Sequence, residues 1–355
     1  MSTSPDRDGR AGLVERMSLQ ADSCRDAGSP LTADLLDGAA DDLAAGGPAA
    51  ALLDPLAHDP PGSVPPLRLA GALHRLVLER RAPALALHYP SVGGTPGRVW
   101  PAARDVVEDQ LDVLRELVAR PVQTNEVGRS AVLLGGLLHL ARETGLPVRL
   151  LELGASGGLN LLVDRYAYDV ADGVVLGDPD SPVRLTRPWR GAHPPYAALD
   201  LVERVGCDPY PLDPTSTADR LTLTSYVWAD QVERFERLRA ALAVAARHPV
   251  VVERRPASGL LARELAAPRT GVVTVVWHSV VQQYLAPVER ARVAELLAEA
   301  GARASARAPL AHLAMEPVRV STAGSRFAVT LTTWPGGAVR ELAEAQGHGP
   351  PVVWR

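Results

Sequence analysis

Up to about residue 130 the chain repeats one spacing. "AGLVERMSLQADSC", "TADLLDGAADDLAA", "LRLAGALHRLVLERR" and "ARDVVEDQLDVLRELVAR" carry apolar residues at intervals of three and four, the period of one helix face. Pro- and Gly-rich connectors, "HDPPGSVPP" and "HYPSVGGTPG", separate them. Strand signals are nearly absent, so residues 1–130 read as a helical N-terminal module. Beyond 130 the texture changes. "SAVLLGGLLHLARETG" reads as a helix ending at Gly145, and "LPVRLLELGAS" as a buried strand stopped by glycines. Further strand runs at 248–255, 270–279, 310–318, 325–334 and 350–355 alternate with helical patterns at 230–247, 257–267, 287–301 and 338–349. That alternation predicts an α/β domain over 131–355, with a mostly parallel sheet and helices on both faces. The last two or three strands are joined tightly enough to run antiparallel. The Pro-, Gly- and Asp-rich stretch at about 167–200 reads as an inserted excursion.

Composition narrows the chemistry. The apolar fraction of 46 % is that of an ordinary soluble globular protein. A net charge of −4 gives no reason to expect nucleic-acid binding. All 37 Lys/Arg positions are arginine. That removes the P-loop lysine, the kinase strand lysine and Schiff-base chemistry. Cys24 and Cys207 are too few for a disulfide scaffold or a Cys-based zinc cluster. The nine histidines show no H-x-x-x-H or H-E-x-x-H spacing, so no metal is expected. The charged N-terminus lacks the apolar core of a secretory signal, and no run approaches a membrane span. A cytoplasmic protein acting on a small molecule is the expectation.

In an open parallel sheet, ligands sit beyond the carboxyl ends of the strands, where the strand order reverses. "RLLELGASGGLNLLVDRY" (149–166) places Glu152, Gly154, Ser156, Gly157 and Gly158 at such an end, before a run with a helix-like pattern. Glycines there let a ligand approach the main chain, and the following helix N-terminus would offer free N–H groups. The plain alternative is a strand–helix corner that needs glycine for its dihedrals. A ribose-binding carboxylate belongs at the end of the second strand. Asp208 in "ERVGCDPYPLD" is preferred; Asp178 in "GVVLGD" competes on spacing. In "PVQTNEVGRS", Thr124 or Asn125 reads as a helix cap, with Glu126 complementing the dipole. Arg129, with Gln123, would lie over the pocket, where Arg129 can clamp a carboxylate.

His278 ends the strand "VVTVVWHS", where an imidazole suits a general base. A buried, hydrogen-bonded strand-end histidine is the bland reading. His278 and Ser279 do not make a hydrolase pair, because neighbours on a strand point to opposite faces and no G-x-S-x-G is present. Tyr226 and Trp228 read as core or interface residues, with stacking on a planar substrate as the alternative. Asp230 is expected to cap the helix after it, and Glu316 to sit on the pocket rim at the end of a fifth strand.

The glycine stretch resembles motif I of Rossmann-type S-adenosylmethionine-dependent methyltransferases, E-x-G-x-G-x-G. Glu152, Gly154 and Gly158 match it, and Ser156 replaces its middle glycine. The setting of Asp208 is similar to that family's V-x-G-x-D. As a set, "QTNEVGRSAVLL", "LLELGASGGLNLLVDRY", "ERVGCDPYPLDP", "SYVWADQVERFERL", "HSVVQQYL", "LAMEP" and "WPGG" resemble a bacterial family, the domain of unknown function family 2332. The resemblance covers most of the chain and implies a Rossmann-like, methyltransferase-type core behind a helical N-terminal segment. It implies S-adenosylmethionine as cofactor, held by Glu152, Gly154, Ser156, Gly157, Gly158, Asp208 and Arg129, with His278 as the catalytic residue. One departure is Arg254 and Arg255 at the third strand end, where an acid for the adenosine is expected. Two other readings stay open: a non-catalytic ligand-binding or regulatory protein that keeps the fold, and an enzyme of another class using the same cleft.

Overall fold

The computed structural model describes residues 5–170, 173–321 and 324–355. They form two units, one of residues up to Thr124 with Thr217–Glu236, the other of Asn125–Ser216 with Arg237–Arg355.

The first unit is helical: α1 (Pro5–Asp26), α2 (Pro30–Ala44), α3 (Pro48–Leu53), α4 (Pro65–Leu78), α5 (Pro83–Ala86), α6 (Trp100–Asp109) and α7 (Leu111–Val118). α2 to α5 each open on proline, whose fixed φ suits the first turn and whose missing N–H is not needed there. Their apolar stripes meet in a core that includes Met17, Leu36, Leu43, Leu69 and Leu73. Residues 217–236, grouped above with the α/β part, belong to this unit. α9 (Thr217–Ser225) brings in Tyr226, whose ring lies where Gly71 leaves room in α4. Asp230 does not cap the helix that follows it. Its carboxylate accepts Ser29 Oγ and, at 2.9 Å, the Leu31 N–H, and so caps α2. The unit boundary falls inside α10 (Val232–Arg247).

The second unit is α/β. α8 (Ser130–Thr144) ends on Gly145, left-handed at φ 63°. An eight-stranded sheet follows: β1 (Val148–Leu153), β5 (Leu201–Asp208), β6 (Val251–Arg254), β7 (Val273–Ser279), β8 (Leu310–Ser321), β9 (Gly324–Trp334), β10 (Ala338–Gln346) and β11 (Gly349–Trp354). Its order is β11-β10-β9-β8-β7-β1-β5-β6. β6, β5, β1, β7 and β8 run parallel; β9 to β11 form an antiparallel meander. Taken in chain order, the parallel strands lie third, second, first, fourth, fifth, so the order reverses between β1 and β7. On one face, Leu313 of β8 packs against Gly136 of α8. On the other, Leu151, Leu153, Val276 and Leu310 make a core with α11 (Ala257–Glu264) and α12 (Pro287–Ala302). The excursion is a separate sheet of β2 (Ala167–Asp169), β3 (Val175–Gly177) and β4 (Arg184–Thr186); its residues 171 and 172 lie outside the described residues.

Two expectations need correction. No full helix follows the glycine turn. Leu159–Arg165 is a 3-10 segment, irregular at Leu162. Its carbonyls are taken by side chains: Leu159 O by the Tyr166 hydroxyl at 2.6 Å, Val163 O by Tyr168 at 3.0 Å, and Leu161 O by Arg204 at 2.9 Å. Residues 338–349, read as helical, hold strand β10 and the start of β11. β10 completes hydrogen-bond ladders on both sides, between tight turns at "WPGG" and "GH", and that pairing overrides helix propensity. No helix of the described residues is long and apolar enough to cross a membrane.

Candidate functional site

Beyond Leu153 the chain turns sharply. Gly154, Ser156 and Gly158 all take left-handed dihedrals, at φ 69°, 51° and 72°. The turn is closed by specific acceptors. Ser156 N–H donates to Asp208 Oδ2 at 3.1 Å, Gly158 N–H to Ala155 O at 2.7 Å, and Leu159 N–H to Asn125 Oδ1 at 3.0 Å. Asn125 thus serves the glycine turn and does not cap α8. Glu126 accepts the Gly128 N–H at 2.8 Å in the short turn before α8. Of the two competing acids, Asp208 at the end of β5 lies beside the glycine turn. Asp178 instead closes its own turn, accepting the Asp180 N–H at 3.0 Å. The fifty-residue gap between Gly158 and Asp208 is filled by the 3-10 segment, the excursion sheet and β5 itself.

The main-chain hollow of the turn is occupied. A Cβ on Gly154 would lie 2.7 Å from Val281 Cγ2, and one on Gly158 would lie 2.7 Å from Val250 Cγ2 and 2.8 Å from Val252 Cγ2. Val281 belongs to the segment leaving β7. Just before it, Val280 is left-handed at φ 54°, a strained conformation for a β-branched residue. Both non-glycine left-handed residues of this region, Ser156 and Val280, therefore stand at the strand ends where the order reverses, and such strain concentrates at ligand clamps and switches.

Below the turn lies a buried polar group. Glu152, 3 % exposed, is in register with Trp277 of β7, and the two share a sheet face. Burial pushes its pKa up to about 8, against the pull of Trp277 and Asn160 facing the carboxyl group; Asp208 adds to the rise and Arg129 opposes it. At neutral pH the group is mostly the neutral acid. Glu152 Oε2, Asn160 Oδ1 and Trp277 Nε1 are all buried without a partner at hydrogen-bond geometry. With Glu152 as the neutral acid, these atoms offer both donors and acceptors and fit a small group that does both, such as water. Arg129 donates from Nε to Gly347 O at 3.0 Å and from Nη1 to Ser279 O at 3.2 Å, tying the end of β7 to the β10–β11 turn.

His278, 4 % exposed, has both ring nitrogens engaged. Nδ1 is 2.7 Å from Glu316 Oε1, and Nε2 is 2.9 Å from His312 Nε2. Glu316 Oε1 also accepts the Val281 N–H at 2.9 Å, so one carboxyl group holds both the histidine and the segment that covers Gly154. Asn160, Trp277 and His312 join the site without having been expected. His312 and Glu316 were legible as an i, i+4 pair on one strand, which alternation puts on one face. The pairing of Glu152 with Trp277 depends on strand register, which no local pattern displays.

Other candidates fall elsewhere. Gln123 and the pair Tyr226 and Trp228 belong to the helical unit. There Tyr226 donates to Pro121 O at 3.2 Å, and Trp228 packs on the core with Arg234 over its ring. A cavity beneath Tyr226 and His74 is about 20 Å³, room for one water. At the end of β6, Arg255 pairs with Glu253 and Arg254 donates to Pro209 O. No group of three or more His, Cys, Asp or Glu side chains suited to a metal ion occurs among the described residues.

No curated protein and no solved structure matches the chain. One family model matches residues 14–354, nearly the whole length, and through it the chain belongs to the family described as "Uncharacterized protein conserved in bacteria (DUF2332)".

Proposed function

We propose that the protein is an S-adenosylmethionine-dependent methyltransferase acting on a small molecule, with the cofactor at the carboxyl ends of β1, β5 and β7. The observation that carries the reading is the Asp208 carboxylate, at the end of the second parallel strand, 3.1 Å from the Ser156 amide of the glycine turn. This juxtaposition lies where the strand order reverses, the place ligands take in doubly wound sheets.

The donor set suits the cofactor. Asp208 would accept the ribose hydroxyls. Asn160 Oδ1, unpartnered and buried, would accept from its amino group, and so would Glu152 Oε2 once the nearby ammonium draws off its proton. Arg129 would face its carboxylate, and Gly154, Ser156, Gly157 and Gly158 would line its main-chain side. When bound, the cofactor supplies an electrophilic methyl group; His278 at the end of β7 would orient the acceptor. The space does not suit it in this conformation, because Val281 covers Gly154. Binding therefore requires the segment after Val280 to move.

The filled faces of Gly154 and Gly158 favour a second reading, a non-catalytic binding or regulatory protein that keeps the fold. Calorimetric titration with S-adenosylmethionine and S-adenosylhomocysteine separates the two. The methyltransferase reading expects saturable binding that Asp208→Asn weakens by about tenfold or more, the scale of a lost charge-assisted hydrogen bond. No heat at millimolar ligand, from a protein that melts cooperatively, would leave the second reading.

A further inference from the structure

Glu316, His278 and His312 form a line of hydrogen-bonded groups, of which the cofactor reading uses only His278. Strand register puts them together. His278 pairs with Ala314, and His312 with Val276, so His278, His312 and Glu316 share the α12 face of the sheet. Continuing outward in register, His312 lies opposite Thr332 of β9, and Thr332 opposite Val339 of β10. Thr330 follows on the same face, opposite Glu341. Thr330 and Thr332 are half-buried and Val339 is 69 % exposed. α12 covers the parallel strands with Val293, Leu296, Leu297 and Ala300, whereas this part of the meander is open. His312 stands at the step between the two.

We infer that His312 is the proton-accepting base of a small-molecule site on this shelf, and that Glu316 and His278 behind it are positioning residues that set its basicity. Glu316 Oε1 accepts the Val281 N–H, so it also accepts from His278, whose Nδ1 is the donor. His278 Nε2 is then left to accept from His312 Nε2–H. That fixes the tautomer of His312: its Nδ1 carries the lone pair. His312 is partly exposed, and among the described residues nothing bonds that nitrogen. A proton taken at Nδ1 is balanced by transfer of Nε2–H to His278 Nε2. The charge then comes to rest on His278, against Glu316. Burial, and then charge on His278, pushes the pKa of His312 down to about 3, so the proton does not stay on His312. The remaining charged groups on that face of the meander are Glu341 and Glu344, paired with Arg326 and Arg355. The surface beside His312 is thus neutral and hydroxyl-lined. It fits an uncharged small molecule that carries a weakly acidic O–H.

Diethyl pyrocarbonate tests this without a known reaction, because it acylates an imidazole lone pair, and peptide mass spectrometry reads each histidine separately. Exposed His58 and His248 are internal standards. At neutral pH, His312 should react measurably, although more slowly than the exposed standards because burial lowers its basicity. In Glu316→Gln it should slow by about tenfold, the equivalent of one pKa unit of lost basicity, with the standards unchanged. An inert His312 in the wild-type protein overturns the inference, as does equal reactivity in wild type and variant. The wild-type comparison decides by itself if the variant does not fold. Neither readout depends on S-adenosylmethionine, so failure here is distinct from failure of the cofactor reading.

Discussion

Glu152 is the residue whose chemistry is most displaced by its surroundings. Its pKa rises from 4.5 to about 8, chiefly through burial, so the folded state holds a proton that the unfolded chain would release. The sign follows from linkage. Stability on this account is complete below pH 4.5 and falls as pH rises toward about 8, by at most about 1.4 kcal/mol per pH unit. Glu152→Gln keeps the shape and removes the titration. The variant's unfolding free energy in urea, relative to wild type, should therefore grow between about pH 5 and about pH 8; parallel curves would show that Glu152 does not titrate there. Gly154 tests the closed turn. Alanine at φ 69° costs about 1–2 kcal/mol for backbone strain alone, and its Cβ also meets Val281. Val281→Ala relieves only the second part. Gly154→Ala and Val281→Ala should couple by at least about 0.5 kcal/mol in a double-mutant cycle, and strict additivity would mean that Val281 does not cover the turn in solution.

Between elements, single side chains do the joining. Arg149, 2 % exposed on β1, pairs with Glu203 of β5 at 2.8 Å and with the Glu264 carboxylate of α11, and donates to Glu264 O at 3.1 Å. Removing one partner of such a buried network strands the others. Arg149→Ala should cost on the order of 3–5 kcal/mol in denaturant unfolding, and a loss below about 1 kcal/mol would reduce the network to surface pairing. Elements whose cause is local were legible in the sequence. β1 is buried along its whole length, an apolar strand interrupted only by Arg149 and Glu152, and α8 stops at a left-handed glycine. Elements whose cause is distant were not. Leu159–Arg165 fails to become an α-helix because Tyr166, Tyr168 and Arg204 take its carbonyls. β10, rich in Ala and Glu, is a strand only because β9 and β11 flank it. The site divides in the same way. The glycine turn and Asp208 could be picked out by residue type, but their hydrogen bond, the Glu152–Trp277 register and the filling of the hollow by Val281 arise only when separate strands meet.

At the level of the whole chain, the two units carry opposed titrations. In the helical unit, His74 is buried between Ser91 Oγ at 2.9 Å and Ser225 O at 3.2 Å, and burial lowers its pKa from 6.5 to about 4. The folded unit then binds fewer protons than the unfolded chain between those values. Its stability is complete above pH 6.5 and is lost as pH falls toward about 4. In the α/β unit, His312 acts in that same direction, from 6.5 to about 3, while Glu152 acts in reverse from 4.5 to about 8. Over the acid range these two oppose each other within one unit. Between pH 6.5 and about 8 only Glu152 of these three is left, so a rise in pH over that window weakens the α/β unit alone. Hydrogen exchange read by mass spectrometry, corrected for intrinsic rates, separates the cases. Acidification from about pH 7 to about pH 4.5 should deprotect the α2 and α4 amides more than those of β1, by up to about 1.4 kcal/mol per pH unit, and His74→Gln should abolish the excess. Raising the pH from about 6.5 to about 8 should deprotect β1 and β7 and leave α2 and α4 unchanged. Uniform deprotection of all four elements in both directions would mean that the chain opens as one cooperative body, and that neither buried group governs its own unit.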